Sequence, residues 1–261
     1  MSRDIWDPTT YAVYSDERSR PFVDLMSRVG ALEPDYVVDA GCGSGELTVQ
    51  LAARWPGATV EGFDSSPAMI AEARKLESKA RFAVADVTTW RPDRALDVIV
   101  SNAVLQWVPE HRDVLEHWVE ELAPGGWLAF QVPGNFDAPS HRAIRELCSS
   151  PTWSDRLGGV VRDDPVSDPV DYLDLLTGGG CQVDTWETTY VHVLQGDNPV
   201  LGWVSGTALR PILDRLDPGD QQRFRQELSG LLAESYPARS YGTPFPFRRI
   251  FVVAQKAVAQ K

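Results

Sequence analysis

The sequence predicts an α/β fold in which a doubly wound, mostly parallel seven-stranded sheet carries a helical insert before the last strand. Three observations predict it. Short apolar, β-prone runs alternate with helical periodicity between residues 36 and 132, the pattern of strands joined by crossover helices on both faces of a sheet. The first of these runs ends in a glycine-rich turn that leads directly into a helical pattern. The last two strand-like runs are separated by about 50 residues of helical periodicity, where a short hairpin would suffice.

Taken in order, Tyr11 to Arg20 is polar and aromatic without a period, and Pro21 is expected to open a helix with Phe22, Leu25, Met26 and Val29 on one face. Tyr36-Val37-Val38 reads as a strand that closes on Asp39, passes through Gly41, Gly43 and Gly45, and enters a helix over residues 46–55. Glycine lets backbone approach a ligand because it has no Cβ and accepts positive φ. Strand, turn and helix N-terminus in that order form a nucleotide-type pocket at the carboxyl edge of a parallel sheet. The spacing is G-x-G-x-G, one residue short of the dinucleotide pattern. Asp39, two residues before the first glycine, would repel a pyrophosphate and attract a cationic ligand.

Residues 58–63 form the second predicted strand, and Asp64 ends it 19 residues after Gly45. That is the place of the acid that bridges ribose hydroxyls in nucleotide-binding βαβ units. The alternative is that Asp64 caps the helix starting near Pro67, a task that Ser65 or Ser66 performs equally well. A third strand over 81–85 closes on Asp86, placed either to accept from an adenine amine or to form a turn, with Val87 and Met69 as apolar faces for the ring. The fourth strand, 96–101, delivers Asn102 and then Trp107 to the crevice at the strand ends. A helix over 109–122, a Pro124-Gly125-Gly126 turn and a fifth strand over 127–132 follow. Helices at 140–149 and 169–177 precede a strand over 183–194; helices at 199–209 and 218–236 precede the last strand, 248–254.

The Asp39-to-Gly45 turn resembles motif I of the class I S-adenosylmethionine-dependent methyltransferases. The likeness continues through Ser15–Pro21, Asp64–Arg74, Ser101–Trp107, Gly202–Pro211, Tyr236-Pro237 and Phe247–Ala254, which are similar to members of that family that esterify trans-aconitate. The resemblance implies a Rossmann-like fold and a single methyltransferase domain over residues 1–261. Its cofactor-binding core is expected at 30–135, and its substrate cap at 195–246 with help from residues 1–21. S-adenosyl-L-methionine is the implied donor and S-adenosyl-L-homocysteine the product. Asp39, Gly41, Gly43, Gly45, Asp64, Ser65, Met69, Asp86, Val87 and Asn102 are the expected contacts. The implied reaction is monomethyl esterification of a small tricarboxylate in the cytoplasm. A same-fold enzyme for another small acid, or a non-catalytic binder of the cofactor, is the alternative.

Composition narrows the partners. The 43% hydrophobic content supports a sizeable core, the N-terminus lacks a signal-peptide core, and no apolar run reaches membrane-span length. Cys42, Cys148 and Cys181 lie far apart, which argues against a zinc site or disulfide framework and for a reducing compartment. A net charge of −12 disfavours nucleic acid. Residues 200–261 nevertheless carry nine Lys and Arg against five Asp and Glu, a net of +4, leaving −16 on residues 1–199. A basic stretch on an acidic body suits a small anionic ligand.

A carboxylate is already ionised at pH 7 and attacks a sulfonium methyl without a general base, so His111, His117, His141 and His192 are expected to be structural. No side chain is assigned a chemical step; Asn102 and Trp107 are expected near the methyl. An anion with three carboxylates needs guanidinium forks. Arg18, Arg20, Arg210, Arg239, Arg248 and Arg249 are the candidates, with Tyr11, Trp203, Thr207 and Tyr236 beside them.

Overall fold

A computed structural model of the chain describes residues 15–161 and 165–258, with side chains from residue 20 onward. Tyr11 and the side chain of Arg18 therefore lie outside the described residues. Seven strands form one sheet: β1 (Tyr36–Ala40), β2 (Thr59–Asp64), β3 (Arg81–Val84), β4 (Leu96–Asn102), β5 (Leu122–Pro133), β6 (Cys181–Leu194) and β7 (Thr243–Lys256), in the order β3-β2-β1-β4-β5-β7-β6. The first five are mutually parallel and β7 runs antiparallel to β5. The helices in chain order are α1 (Ser15–Met26), α2 (Glu46–Arg54), α3 (Pro67–Ala73), α4 (His111–Glu121), α5 (Pro139–Cys148), α6 (Ser154–Leu157), α7 (Pro169–Gly178), α8 (Pro199–Ser205), α9 (Arg210–Leu213) and α10 (Pro218–Ser235).

The chain forms two compact units. The first takes Met1–Pro133, Val166–Thr188 and Arg249–Lys261, and the second takes Gly134–Pro165 and Thr189–Arg248. The first unit holds the parallel strands. Every residue of β1 is buried, and Val37, Val38, Ile99, Val100, Leu128 and Phe130 form its centre. Such continuous apolar runs are what a sheet covered on both faces requires. Helix α4 covers it with Val114, Leu115, Trp118 and Val119, the face its 3.6-residue period predicts. In the second unit α5 packs on α10, and Trp153 meets Phe224 edge-on at 5.3 Å. A second aromatic cluster there joins Trp203, Phe245, Phe247 and His192.

Three local expectations are corrected. Helix α1 begins at Ser15 and carries Pro21 inside it, so the proline does not open the helix. The expected turn at 124–126 is the irregular start of β5, where the register to β4 shifts between Leu96 and Val98 and Gly125 takes φ +82. The helix expected over 199–209 stops at Ser205, and Arg210 starts the next one. Gly206 ends the first, and Pro211, which has no N–H to give back, sits in the first turn of the second.

Candidate active site

The parallel strands of the first unit bring Asp39, Asp64 and Asn102 to one edge of the sheet, because all three stand at or next to strand carboxyl ends. The glycine turn is built as its spacing predicts. Gly41, Gly43 and Gly45 take φ of +78, +55 and +87. A Cβ on Gly41 would clash with the Val104 side chain, and one on Gly45 would meet the Phe82 ring at 2.9 Å. At Gly43 nothing lies within 4 Å of that position, so the turn faces open space there.

Asp64 locks the turn. Its Oδ2 accepts from Gly43 N at 3.0 Å and its Oδ1 from Ser66 N at 2.9 Å. The capping alternative resolves in the structure: Ser66 is the N-cap of α3 and accepts from Met69 N. Ser65 is exposed and Met69 is buried. Asp86 is exposed, and its Oδ1 accepts from Thr88 N and Thr88 Oγ1, the turn-forming geometry. Val87, one residue on, is half-buried.

Asp39 lies deeper than its motif suggests. It is 2% exposed, and its Oδ2 accepts from Thr48 Oγ1 at 2.6 Å. Burial raises its carboxyl from about 3.8 to about 6, with the Asp64 charge adding to the rise and the Thr48 bond opposing it. Asp39 is thus mainly ionised at neutral pH, but only against a desolvation cost that a nearby cation would offset.

After Asn102 the backbone turns through Ala103 at φ +58, a left-handed conformation that side chains disfavour. Ala103 N donates to Gln131 O, and Gln106 Nε2 donates to Ala103 O at 2.7 Å, so the turn is held from both sides. No residue type signals this turn in advance, since alanine carries no left-handed preference. Val104, which packs on Gly41, and Thr48 were likewise missed; Thr48 stands at the third position of α2, from which a side chain reaches back to the preceding strand end. Trp107 is 39% exposed, so it is no core tryptophan.

The second unit holds Trp203, Thr207, Arg210, Tyr236, Arg239 and Arg248. Trp203 is 2% exposed, with its ring 4.8 Å from His192. Thr207 Oγ1 donates to Trp203 O. Tyr236 is buried against Phe245, and its hydroxyl accepts from Ser140 N at 3.1 Å. Arg210 is half-buried, Arg239 is exposed, and Arg248 Nη1 donates to Gly134 O at 2.8 Å. In the first unit Arg20 is exposed and Arg249 is only 5% exposed. Of the histidines, His111 Nε2 meets the Tyr172 hydroxyl at 3.1 Å, and burial lowers His141 to about 4. Among the described residues no group of His, Cys, Asp and Glu has the arrangement of a metal site, and no helix is long and apolar enough to cross a membrane.

Residues 14–160, which include the glycine turn and the acid that ends β2, match a family model described as a methyltransferase domain. The chain is 52% identical to the trans-aconitate 2-methyltransferase of Streptomyces coelicolor over 262 residues, covering 96% of this chain and 86% of that protein. It is 54% identical to the enzyme of the same name from Rhodococcus jostii, covering 96% of this chain and 99% of the other. The chain belongs to the trans-aconitate 2-methyltransferase family. Membership makes S-adenosylmethionine the cofactor, and the open Gly43 turn beside Asp64 fits it. The fold is also similar to that of the YcgJ protein from Bacillus subtilis, with a TM-score of 0.60 at 14% identity over 92% of this chain and 99% of that one.

Proposed function

We propose that this family member transfers one methyl group from S-adenosylmethionine to a carboxylate of trans-aconitate, giving the monomethyl ester. The observation that carries the reading is the high identity to relatives of that name along 96% of the chain, a span that takes in the helices between β6 and β7. S-adenosylmethionine supplies an electrophilic methyl on a cationic sulfur. A carboxylate oxygen forms the new C–O bond as the C–S bond breaks; no proton moves, so no base is required. The histidines that are buried or stacked in packing roles accord with that. The chain contributes orientation and exclusion of water, worth roughly 7–11 kcal/mol for well-placed reactants.

Within this reading Gly41, Gly43, Gly45 and Asp64 hold the cofactor's backbone-facing and ribose parts, with Ser65, Met69, Asp86 and Val87 at its adenine side. Asp39 supplies a buried negative charge that favours the cationic donor over its neutral product. The segment 195–246, with residues 1–21, takes the part of the acceptor cap, and Arg210 and Arg239 are its carboxylate-binding groups. The three free, buried cysteines accord with a cytoplasmic site of action. Incubation with methyl-labelled S-adenosylmethionine and trans-aconitate tests the reading: one alkali-labile label per acid is expected, and an unlabelled acid would overturn it.

A further inference from the structure

Asn102, Gln131 and Arg249 sit side by side across three neighbouring strands of the first unit. Asn102 pairs in register with Gln131 on β5, and Arg249 on β7 lies opposite Pro133, two residues farther along β5 and on the same face as Gln131. Arg249 Nη1 donates to Gln131 Oε1 at 3.0 Å, and Gln131 Nε2 donates to Asn102 Oδ1 at 2.7 Å. Gln131 is 0% exposed and Arg249 5% exposed, while Asn102 is only partly buried.

The direction of this chain is fixed by chemistry. A guanidinium only donates, so Gln131 must turn its oxygen toward Arg249 and its NH₂ toward Asn102. Asn102 must answer with its oxygen, which leaves its Nδ2 protons directed away from the network. A cation at the buried end polarises both amides in the same sense, since hydrogen bonds in series strengthen one another where water is excluded.

We propose that Arg249 and Gln131 are positioning residues that fix the Asn102 amide with its NH₂ presented to the acceptor, so that Asn102 donates to an acceptor carboxylate at the carboxyl end of β4. The proposal rests on the carboxylate-methylating reading above. Arg249 thus acts on the acid through two intervening amides.

The test is Gln131→Glu. The new carboxylate still accepts from Arg249, so the buried contact and the packing volume persist. It has no proton for Asn102 Oδ1, and Asn102 must rotate to donate to it, presenting its own oxygen to the acid. The expected result is a KM for trans-aconitate raised at least tenfold, with unfolding temperature unchanged and S-adenosylhomocysteine affinity within about twofold of wild type. On an Asn102→Ala background the same change should have no further effect, because the relay ends at that amide. A Gln131→Glu enzyme with wild-type KM overturns the proposal, as does an additive double variant, which would place the effect outside Asn102. Loss of S-adenosylhomocysteine affinity without a change in KM overturns it too, by assigning the amide to the donor. A wild type that methylates no carboxylate overturns both the relay and the reading beneath it, so the two failures are told apart by assaying the wild type first.

Discussion

Burial keeps Asp39 protonated to about pH 6, and this one group gives the protein a pH dependence whose sign follows directly. The folded chain holds a proton there that the unfolded chain has already released, so the Asp39 contribution to stability falls as pH rises from about 4 to about 6, while buried His141, lowered to about 4, contributes in the opposite sense over the same range. A carboxyl raised from 3.8 to about 6 forfeits roughly 3 kcal/mol of folding stability at neutral pH. Asp39→Asn, which can still accept from Thr48, should gain stability over wild type progressively from pH 4 to 6 and raise the urea midpoint at pH 7; a difference from wild type that does not vary with pH would show that the carboxyl is not the cause. The same substitution should weaken S-adenosylmethionine more than S-adenosylhomocysteine in calorimetric titration, since only the former carries the sulfonium charge. Equal losses would mean that Asp39 serves parts common to both. Ala103 stores strain of another kind. Its left-handed φ costs roughly 1–2 kcal/mol, against roughly 0.4–1 kcal/mol of extra unfolded-chain freedom for glycine. Ala103→Gly should therefore raise the unfolding temperature modestly, and a fall would refute the strain.

At the scale of elements, the strands and helices around the glycine turn were legible because they carry their own signals: short apolar runs, acids at or near the ends of β1, β2 and β3, and glycines where φ must be positive. Residue type offered Asp64, Ser65 and Ser66 as caps of α3, and the structure selects Ser66. Legibility failed where tertiary context decides. The course of α1 through Pro21, the break of the insert helix at Gly206 and the bulged start of β5 depend on packing that local propensity does not encode. Arg249 reads in sequence as a carboxylate-binding candidate like Arg248, and only the structure shows that it is buried on Gln131. Tyr236 reads in sequence as a hydroxyl for the substrate, and in the structure its oxygen accepts from Ser140 N, the first N–H of α5 because Pro139 has none. Tyr236→Phe should then cost about 1–3 kcal/mol of stability in denaturant titration, the penalty of a buried donor left unmet. A variant as stable as wild type would release that hydroxyl for another role.

For the whole molecule, charge and site point the same way. The chain is strongly acidic, yet its last 62 residues are net basic, and they include Arg210 and Arg239, the proposed carboxylate ligands. Each charge-assisted hydrogen bond contributes roughly 1.5–3 kcal/mol, so an acceptor stripped of one carboxylate should lose about tenfold or more in efficiency. The most direct measurement is kcat/KM for trans-aconitate beside unsaturated di- and monocarboxylates of the same carbon skeleton, at saturating S-adenosylmethionine. The account predicts at least a tenfold fall with each carboxylate removed. A monocarboxylate methylated as efficiently as the tricarboxylate would contradict it.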